Sequence, residues 1–191
     1  MANVIELESS YILKENYNDI LIKIKELDFK FYEHILEEDT YYTDKEETFI
    51  KNRVCLRTRT TNNEKLELTY KPKTDNSTEK YGKKEINISL NVDDYDDVKY
   101  MINELGYIEY VSFIKDRTIY TKLIDGFIHN IMIDSIENVG NYIEFEILAN
   151  TEDEKEKLKA SLEKFIQEFN CKNLQEKLLP YRDIVKQNLT K

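Results

Sequence analysis

The sequence contains several short segments in which charged residues recur at every second position. Clear examples are Glu6-Leu7-Glu8, Arg57-Thr58-Arg59 and Glu144-Phe145-Glu146. Successive side chains of a β-strand point to opposite faces of a sheet, so each segment places its two charges on one face. The pattern therefore predicts β-strands with one charged face and one mainly apolar face.

Two architectures are compatible with such strands. In an ordinary sheet, the apolar faces form the core and the charges lie in water, which is the more common arrangement. In the alternative, amphipathic helices cover the apolar faces and the charges line a lumen. Because a lone buried charge costs several kcal/mol, charges in a lumen must pair, remain hydrated or bind ions. The strands carry similar numbers of acids and bases, which favours a charged lumen, and both architectures remain open from the residues alone.

The remaining pattern predicts an α+β fold. Segments 16–28, 93–105 and 151–169 carry apolar residues at helical spacing, with Asn16 and Thr151 as N-caps. Between them lie about eight strand-like segments, mostly antiparallel neighbours, and segment 30–43 is extended with an acidic break at 37–39. Eight antiparallel strands can close into a barrel, so the second of the two architectures corresponds to an eight-stranded antiparallel closed β-barrel with a charged lumen and helices packed on its outside. Residues 1–191 are expected to form a single domain.

Composition excludes several classes of partner. The net charge of −10 argues against a nucleic-acid binder, which usually carries a basic patch. No run of eighteen apolar residues and no secretory signal is present, so no membrane association is expected. Cys55 and Cys171 lie far apart without metal-binding spacing, which is typical of a reduced cytoplasmic protein. The sequence is silent on oligomeric state, for which a homodimer is a reasonable prior expectation.

Ordered motifs along nearly the whole chain resemble those of one known family. They are Glu6-Leu7-Glu8, Thr40-Tyr41-Tyr42-Thr43-Asp44, Leu56-Arg57-Thr58-Arg59, Leu68-Thr69-Tyr70-Lys71, Lys84-Glu85, Lys115-Asp116-Arg117, Ile133-Asp134 with Gly140, and Tyr142-Ile143-Glu144-Phe145-Glu146. The chain resembles the CYTH family of triphosphate tunnel enzymes, named for class IV adenylate cyclase and thiamine triphosphatase. The tail, Pro180-Tyr181-Arg182-Asp183-Ile184-Val185, is similar to the cyclase subgroup in particular.

The resemblance implies roles for individual residues. The implied ligands of Mg²⁺ or Mn²⁺ are Glu6, Glu8 and Glu144, supported by Glu146 and Asp134. The implied phosphate-binding residues are Arg57, Arg59, Lys71, Lys83, Lys115, Arg117 and Arg182. Lys115, Arg117 and Asp134 are the implied catalytic residues, and Glu85 is expected to orient a neighbouring base. Lys83 and Lys84 cannot both face inward, and Arg182 either closes over the tunnel mouth or is a solvated tail arginine.

The implied substrate is a triphosphate, either ATP or tripolyphosphate. A class IV adenylate cyclase converts ATP to cyclic AMP and pyrophosphate, and the alternative within the fold is an inorganic, thiamine or nucleoside triphosphatase. The family pattern places a lysine where this chain has Ser10, which loses one charge-assisted contact with phosphate. Lys14 is a candidate to compensate for that loss. The departure also keeps open a non-catalytic protein that binds a nucleotide or polyphosphate.

Overall fold

The computed structural model describes residues 5–73, 85–149, 155–171 and 174–189. The strands are β1 (Ile5–Ile12), β2 (Lys30–Thr43), β3 (Cys55–Thr61), β4 (Lys65–Lys71), β5 (Ile86–Leu90), β6 (Ile108–Ile124), β7 (Phe127–Ile136), β8 (Gly140–Ala149) and β9 (Gln175–Glu176). The α-helices are α1 (Tyr17–Glu26), α2 (Thr48–Lys51), α3 (Tyr95–Glu104), α4 (Lys155–Phe169) and α5 (Tyr181–Leu189). In this described part of the chain, every helix is too short or too polar to cross a membrane.

The strands form one sheet in the order β5-β4-β3-β2-β6-β7-β8-β1-β9. Strand β1 pairs antiparallel with β8 and β9, and the pairs β2–β3, β3–β4, β4–β5 and β7–β8 are antiparallel too. The predicted α+β fold with a large antiparallel sheet is therefore confirmed. Within the described ranges, the short strand β9 brings the count to nine strands rather than eight. Closure into a barrel is not confirmed, because β5 and β9 end the sheet among the residues that the structure describes.

The chain divides into two compact units. The first unit contains Met1–His34 and Asp116–Leu178, and the second contains Ile35–Lys115 and Leu179–Lys191. Each unit has its own hydrophobic core, described below. The single domain expected over residues 1–191 stays a prediction.

In the first unit, the apolar face of the sheet packs beneath helix α4. Leu7, Phe145 and Ile147 alternate with charged residues along β1 and β8, and all three are fully buried. The helix covers them with the predicted apolar stripe of Leu158, Leu162, Phe165 and Phe169. Because side chains alternate along a strand, the charged residues of β1 and β8 lie on the face turned away from this helix.

In the second unit, helix α3 covers the apolar face of the sheet. Tyr42, Leu66, Val98 and Ile102 form the core, and the partly buried residues packed against it include Leu56, Leu68 and Leu90. The charged and polar residues of β3 and β4 alternate with these apolar residues. They therefore occupy the face opposite α3, as predicted for the architecture in which amphipathic helices cover the apolar faces of the sheet.

Local signals in the sequence mark several element boundaries correctly. The Asn16 side chain accepts a backbone N–H at the start of α1, so it is the predicted N-cap. Asn62 and Asn63 both have positive φ, which suits the tight turn between β3 and β4. Gly106 follows α3 with a φ of +91° and ends that helix. The predicted N-cap Thr151 lies outside the described residues.

Candidate functional site

Strand β6 shows that charged side chains are turned toward the protein interior. Lys115 is only 2% exposed and Arg117 is also buried, whereas the intervening Asp116 is exposed and Ile114 is 57% exposed. If the charged face of this strand were in water, Lys115 and Arg117 would be exposed and Ile114 would be buried. The solvated-face alternative is therefore wrong for β6, and both bases require partners in the interior.

In the first unit, a group of polar side chains surrounds strand β8. We call it the β8 cluster, and it comprises Glu6, Glu8, Ser10, Arg117, Asn130, Asp134, Glu144, Glu146 and Lys177. Arg117 is its central cation: Nε and Nη2 donate to Asp134 Oδ1 and Oδ2 at 2.7 and 2.6 Å. The same Nη2 donates to Glu144 Oε2 at 2.5 Å. One buried guanidinium thus bridges two buried carboxylates.

Ser10 lies inside the β8 cluster. It stands opposite Glu144 in the β1–β8 ladder, and its Oγ donates to Glu144 Oε1 at 2.7 Å. The Nζ atom of Lys177 lies 3.6 Å from the same oxygen. Lys14, the lysine predicted to compensate for Ser10, instead donates to Gln175 Oε1 at 2.7 Å in an exposed contact.

Four of the predicted metal ligands lie on neighbouring strands of this cluster. Glu8 stands opposite Glu146 in the β1–β8 ladder, and Glu144 is two positions further along β8 on the same face. Asn130 Nδ2 donates to Glu146 Oε1 at 2.7 Å. Glu144 and Glu146 are buried, whereas Glu6 and Glu8 are exposed. The carboxylates therefore form a continuous acidic strip that leads from solvent to the interior.

The donor chemistry of the strip suits Mg²⁺ or Mn²⁺, which prefer oxygen ligands. Among the residues that the structure describes, however, no three His, Cys, Asp or Glu side chains are gathered to hold a metal. Asp134 and Glu144 are instead bound by Arg117. Mg²⁺ usually takes one or two carboxylates together with waters and substrate phosphates rather than an all-protein cage. The strip fits a metal shared with substrate and does not fit a preformed cage.

In the second unit, a group of charged side chains surrounds strand β3. We call it the β3 cluster, and it comprises Glu37, Asp39, Arg57, Arg59, Glu67, Thr69, Lys71, Glu85 and Lys115. Arg59 donates from Nη1 to Glu37 Oε1 at 2.7 Å, and from Nε and Nη2 to the two oxygens of Asp39 at 2.6 and 2.8 Å. Burial raises the pKa of Asp39, but the charge and hydrogen bonds of Arg59 outweigh burial and hold it well below its ordinary value.

Arg57 is held less completely than Arg59. Its Nη2 donates to Thr69 Oγ1 at 3.2 Å, and Nη1 lies 3.7 Å from Asp39 Oδ2. Its guanidinium lies 5.9 Å from the centre of the buried Tyr41 ring. The Nε of Arg57 is buried and has no hydrogen-bond partner within the described ranges. A buried donor in this condition is suited to an anionic ligand.

The two lysines of the β3 cluster each pair with a glutamate. Lys115 Nζ lies 2.6 Å from Glu37 Oε2, and Lys71 Nζ lies 2.6 Å from Glu85 Oε2. Burial would raise the pKa of Glu85, but the charge of Lys71 and its hydrogen bond lower the pKa below the ordinary value. Glu85 is thus paired with a neighbouring base, and its role in orienting that base stays a prediction.

The predicted phosphate-binding residues Arg182 and Lys83 are not members of the β8 cluster or the β3 cluster. Arg182 is 4% exposed, and its Nη1 donates to the carbonyl of Val54 at 2.5 Å. The solvated-tail alternative is therefore wrong, and Arg182 ties α5 to the residue before β3. Its role toward phosphate stays a prediction. Lys83 and the alternative Lys84 lie outside the described residues.

A cavity of about 420 Å³ opens beside the β3 cluster at the end of β3 and β4. Its lining includes Glu37, Arg59 and Glu67 of the cluster, together with Lys65 and Ser89. A volume of this size is within the range of small-molecule sites. Three side chains of the β3 cluster therefore line a partly open cavity.

The sequence analysis missed four charged members of the two clusters. Glu37 and Asp39 are the partners of Arg59, and the segment predicted to break at 37–39 is an uninterrupted part of β2. Their period-two spacing, the same signal that marks Arg57 and Arg59, would have identified them. Glu67 follows the same rule on β4. Lys177 carries no periodic signal, because β9 is only two residues long.

Comparison with known proteins relates the chain to one family. The family model for the CYTH domain matches residues 2–177. A protein of Methanocaldococcus jannaschii named as a putative adenylate cyclase is 27% identical over 158 residues, which cover 82% of this chain and 85% of that protein.

Solved structures show the same fold. The PH1819 protein of Pyrococcus horikoshii OT3 is 25% identical with a TM-score of 0.77, and the match covers 95% of this chain and 98% of that one. A Hippeastrum protein, described as a putative adenylyl cyclase with a dominant triphosphatase activity, is 14% identical with a TM-score of 0.68. That match covers 96% of this chain and 95% of the Hippeastrum chain, and at this identity it speaks for the fold alone.

Proposed function

Because the chain belongs to the CYTH domain family, we propose that it is a metal-dependent enzyme acting on a triphosphate, with class IV adenylate cyclase as its leading activity. The observation that carries the proposal is the burial of bases and acids at strand positions that alternate with core residues. Desolvating such groups costs several kcal/mol even when they pair. A fold that retains so many of them is suited to a polyanion and its counter-ions.

The bases of both clusters are assigned to phosphate oxygens. Arg57 offers its buried Nε, which lacks a partner within the described part of the chain, and the planar guanidinium suits a two-pronged contact with phosphate. Arg59, Lys71, Lys115 and Arg117 are paired with carboxylates, so ligand oxygens would compete with those acids. Lys83 and Arg182 complete the proposed set on the basis of the family resemblance.

The acidic strip is assigned to Mg²⁺ or Mn²⁺. Glu6, Glu8 and Glu144 are the proposed ligands, with Glu146 and Asp134 in support. A bound divalent cation would neutralise part of the triphosphate charge and help to orient the reacting oxygens. Arg117 holds the carboxylates of Asp134 and Glu144, so a divalent cation bound by these acids would have to share them with Arg117.

In the proposed cyclase reaction, the ribose 3′-hydroxyl of ATP attacks the α-phosphorus and gives up its proton to solvent water. A new oxygen–phosphorus bond forms as the bond to the β-phosphate oxygen breaks, and cyclic AMP and pyrophosphate are the products. Lys115 and Arg117 are the proposed catalytic cations that stabilise negative charge on the reacting phosphates. Asp134 fixes the orientation of Arg117 through its two hydrogen bonds.

A triphosphatase is the second candidate. In this reaction water attacks the terminal phosphorus, the bond from that phosphorus to the bridging oxygen breaks, and orthophosphate and the remaining diphosphate are released. The same residues would serve both reactions. The Hippeastrum protein, described as having a dominant triphosphatase activity, shares this fold over nearly the whole of this chain, so the fold is compatible with this alternative. The third candidate, a non-catalytic binder of nucleotide or polyphosphate, is favoured by Ser10 in the place of the family lysine.

One experiment separates the three candidates. The purified protein is incubated with ATP, and separately with tripolyphosphate, in the presence of Mg²⁺ and of Mn²⁺. Cyclic AMP with pyrophosphate supports the cyclase, and orthophosphate supports the triphosphatase. Binding in calorimetry without any product supports the non-catalytic binder, and the absence of binding contradicts the proposal as a whole. Arg57→Gln is the matched control with weakened binding, because it removes the guanidinium charge at this position.

Three further features stay proposals. The family resemblance implies that the sheet closes into a tunnel, which a crystal structure with tripolyphosphate would test. A cytoplasmic location is expected from the two cysteines, both of which are free thiols. A homodimer is the expected oligomeric state, which light scattering would test.

A further inference from the structure

The hydroxyl of Thr69 lies between a base and an acid of the β3 cluster. Thr69 stands directly opposite Arg57 in the β3–β4 ladder and is fully buried. Arg57 Nη2 donates to Thr69 Oγ1 at 3.2 Å, and Thr69 Oγ1 donates to Glu67 Oε1 at 3.1 Å. Glu67 lies two positions before Thr69 on β4, so both side chains are on the same face of the sheet. Two hydrogen bonds therefore connect the three side chains in series.

Chemistry fixes the direction of both hydrogen bonds. A guanidinium can only donate hydrogen bonds, so the Thr69 hydroxyl must accept from Arg57. The hydroxyl has one proton, and an ionised carboxylate such as that of Glu67 can only accept it. The lone pairs of Thr69 Oγ1 are therefore turned toward Arg57, and Glu67 holds the hydroxyl in this orientation.

The Thr69 hydroxyl also separates Arg57 from a competing carboxylate. Arg57 Nη2 lies 4.0 Å from Glu67 Oε1, which is beyond hydrogen-bond distance. A second carboxylate, Asp39, lies 3.7 Å from Arg57 Nη1, but both of its oxygens already accept hydrogen bonds from Arg59. Glu67 is therefore the carboxylate with which Arg57 would pair if the hydroxyl were removed.

We propose that Thr69 is a positioning residue for phosphate binding and acts through Arg57. Its hydroxyl gives Arg57 Nη2 a neutral acceptor in place of a carboxylate, so the positive charge stays available to a phosphate oxygen. Because the guanidinium is rigid and planar, fixing Nη2 also fixes the direction of its other donors. One of these is the buried Nε, which has no hydrogen-bond partner within the described ranges. The inference rests on the proposed binding of a triphosphate, and it assigns no contact between Thr69 and the ligand.

The test is a double-mutant cycle, measured by calorimetric titration with tripolyphosphate in Mg²⁺. Thr69→Val keeps the shape of the side chain and removes the hydroxyl, so Arg57 is expected to pair with Glu67 and binding to weaken about tenfold. In a Glu67→Gln background, the same Thr69→Val change is expected to weaken binding by less than about threefold, because the competing charge is absent. Thr69→Ser keeps the hydroxyl and is expected to bind within about threefold of the parent protein.

Thr58→Val is the matched control for loss of stability. Thr58 is also fully buried, and it lies on the opposite face of β3, where its hydroxyl is hydrogen-bonded to Tyr42. This variant loses a buried hydroxyl as Thr69→Val does, so its melting temperature is expected to fall. Its affinity for tripolyphosphate is expected to equal that of the parent protein. Equally weak binding by Thr58→Val and Thr69→Val would overturn the inference, because lost stability would then explain both.

The remaining outcomes separate the inference from the proposed function. Parent-like affinity of Thr69→Val overturns the inference and leaves the proposed function intact. An equal loss in both backgrounds also overturns the inference, because Thr69 would then act independently of Glu67. If the parent protein binds no tripolyphosphate, the proposed function fails and the inference fails with it.

A crystal structure of the parent protein with tripolyphosphate and Mg²⁺ is a second test, which does not depend on the folding of any variant. Thr69 Oγ1 is expected to keep its hydrogen bond from Arg57 Nη2 while the guanidinium contacts a phosphate oxygen. A direct contact between Thr69 Oγ1 and a phosphate would overturn the inference, because Thr69 would then be a ligand-binding residue itself.

Discussion

Arg59 and Asp39 face each other across the β2–β3 ladder and are joined by two parallel hydrogen bonds of 2.6 and 2.8 Å. Both side chains are buried or nearly so, and Glu37 accepts a third hydrogen bond from the same guanidinium. The pair therefore satisfies most of its hydrogen-bonding capacity within the protein. Arg59 serves first as a fixed element of the β3 cluster, whereas Arg57 beside it keeps a donor available.

Asp39→Asn is expected to destabilise the protein substantially at neutral pH. The change leaves the buried Arg59 charge with one fewer anionic partner, and breaking such pairs costs about 3 kcal/mol. Urea unfolding at pH 7 measures the effect. Glu38→Gln is the control, because Glu38 is the exposed neighbour on the other face of β2, and it is expected to unfold at the parent urea concentration.

The ion pair of Asp39 with Arg59 also predicts how the stability difference between Asp39→Asn and the parent protein depends on pH. The pKa of Asp39 in the folded protein lies well below the value of about 3.9 for an unfolded aspartate. Its contribution to stability is therefore fully present above about pH 4 and is lost as the pH falls through the folded pKa. The gap between Asp39→Asn and the parent is expected to be equal at pH 7 and pH 5. A gap that closes at pH 5 would contradict the assigned ion pair.

Local periodicity was sufficient to predict which faces carry charge. Lys115 and Arg117 were placed on one face of β6, and both are buried while Ile114 is exposed. Periodicity was misleading at 37–39, where three consecutive acids resemble a break although only two of them face inward. It gave no information about Lys177, since the position of β9 depends on pairing with β1, far away in sequence. Long-range packing decides which carboxylate accepts a hydrogen bond from which basic side chain. These pairings were therefore not predictable from the sequence.

Arg57→Gln and Arg59→Gln are expected to differ in how they affect tripolyphosphate binding and the melting temperature. Arg57 has fewer and longer polar contacts, so its loss is expected to weaken tripolyphosphate binding by about tenfold or more with a small change in melting temperature. Arg59→Gln leaves Glu37 and Asp39 without their shared cation. It is expected to lower the melting temperature clearly as well as weaken binding. Calorimetry and thermal unfolding are compared on the same samples, and equal melting temperatures for the two variants would count against this distinction.

Glu6→Gln combined with Glu8→Gln is expected to abolish metal-dependent turnover while leaving the fold intact. Both carboxylates are exposed at the outer end of the acidic strip, so their neutralisation removes proposed metal ligands without opening the core. Product formation is measured over a range of Mg²⁺ and Mn²⁺ concentrations, alongside circular dichroism. Glu104→Gln with Glu163→Gln removes two exposed helical carboxylates instead and is expected to remain active. Full activity of the Glu6 and Glu8 double variant would show that these residues are not ligands.

His129 is expected to make stability depend on pH between about 7.5 and 5.5. It is buried beneath α4, with Nδ1 3.1 Å from the Phe127 carbonyl oxygen and Nε2 3.3 Å from Ser161 Oγ. Burial lowers the pKa of His129 below its ordinary value, although the Phe127 carbonyl partly opposes the shift. The folded protein therefore binds fewer protons than the unfolded chain, and stability falls as the pH drops below about 6.5.

Urea unfolding at pH 7.5 and pH 5.5 measures this loss of stability. His129→Gln keeps a polar side chain and cannot gain a proton, so its stability is expected to differ less between the two pH values. His34→Gln is the control, because His34 is exposed and pairs with Asp116 at the surface. The stability of His34→Gln is expected to fall between pH 7.5 and pH 5.5 by the same amount as that of the parent protein. If His129→Gln retains the parent difference as well, another group is responsible, and the contact between β7 and α4 does not sense pH.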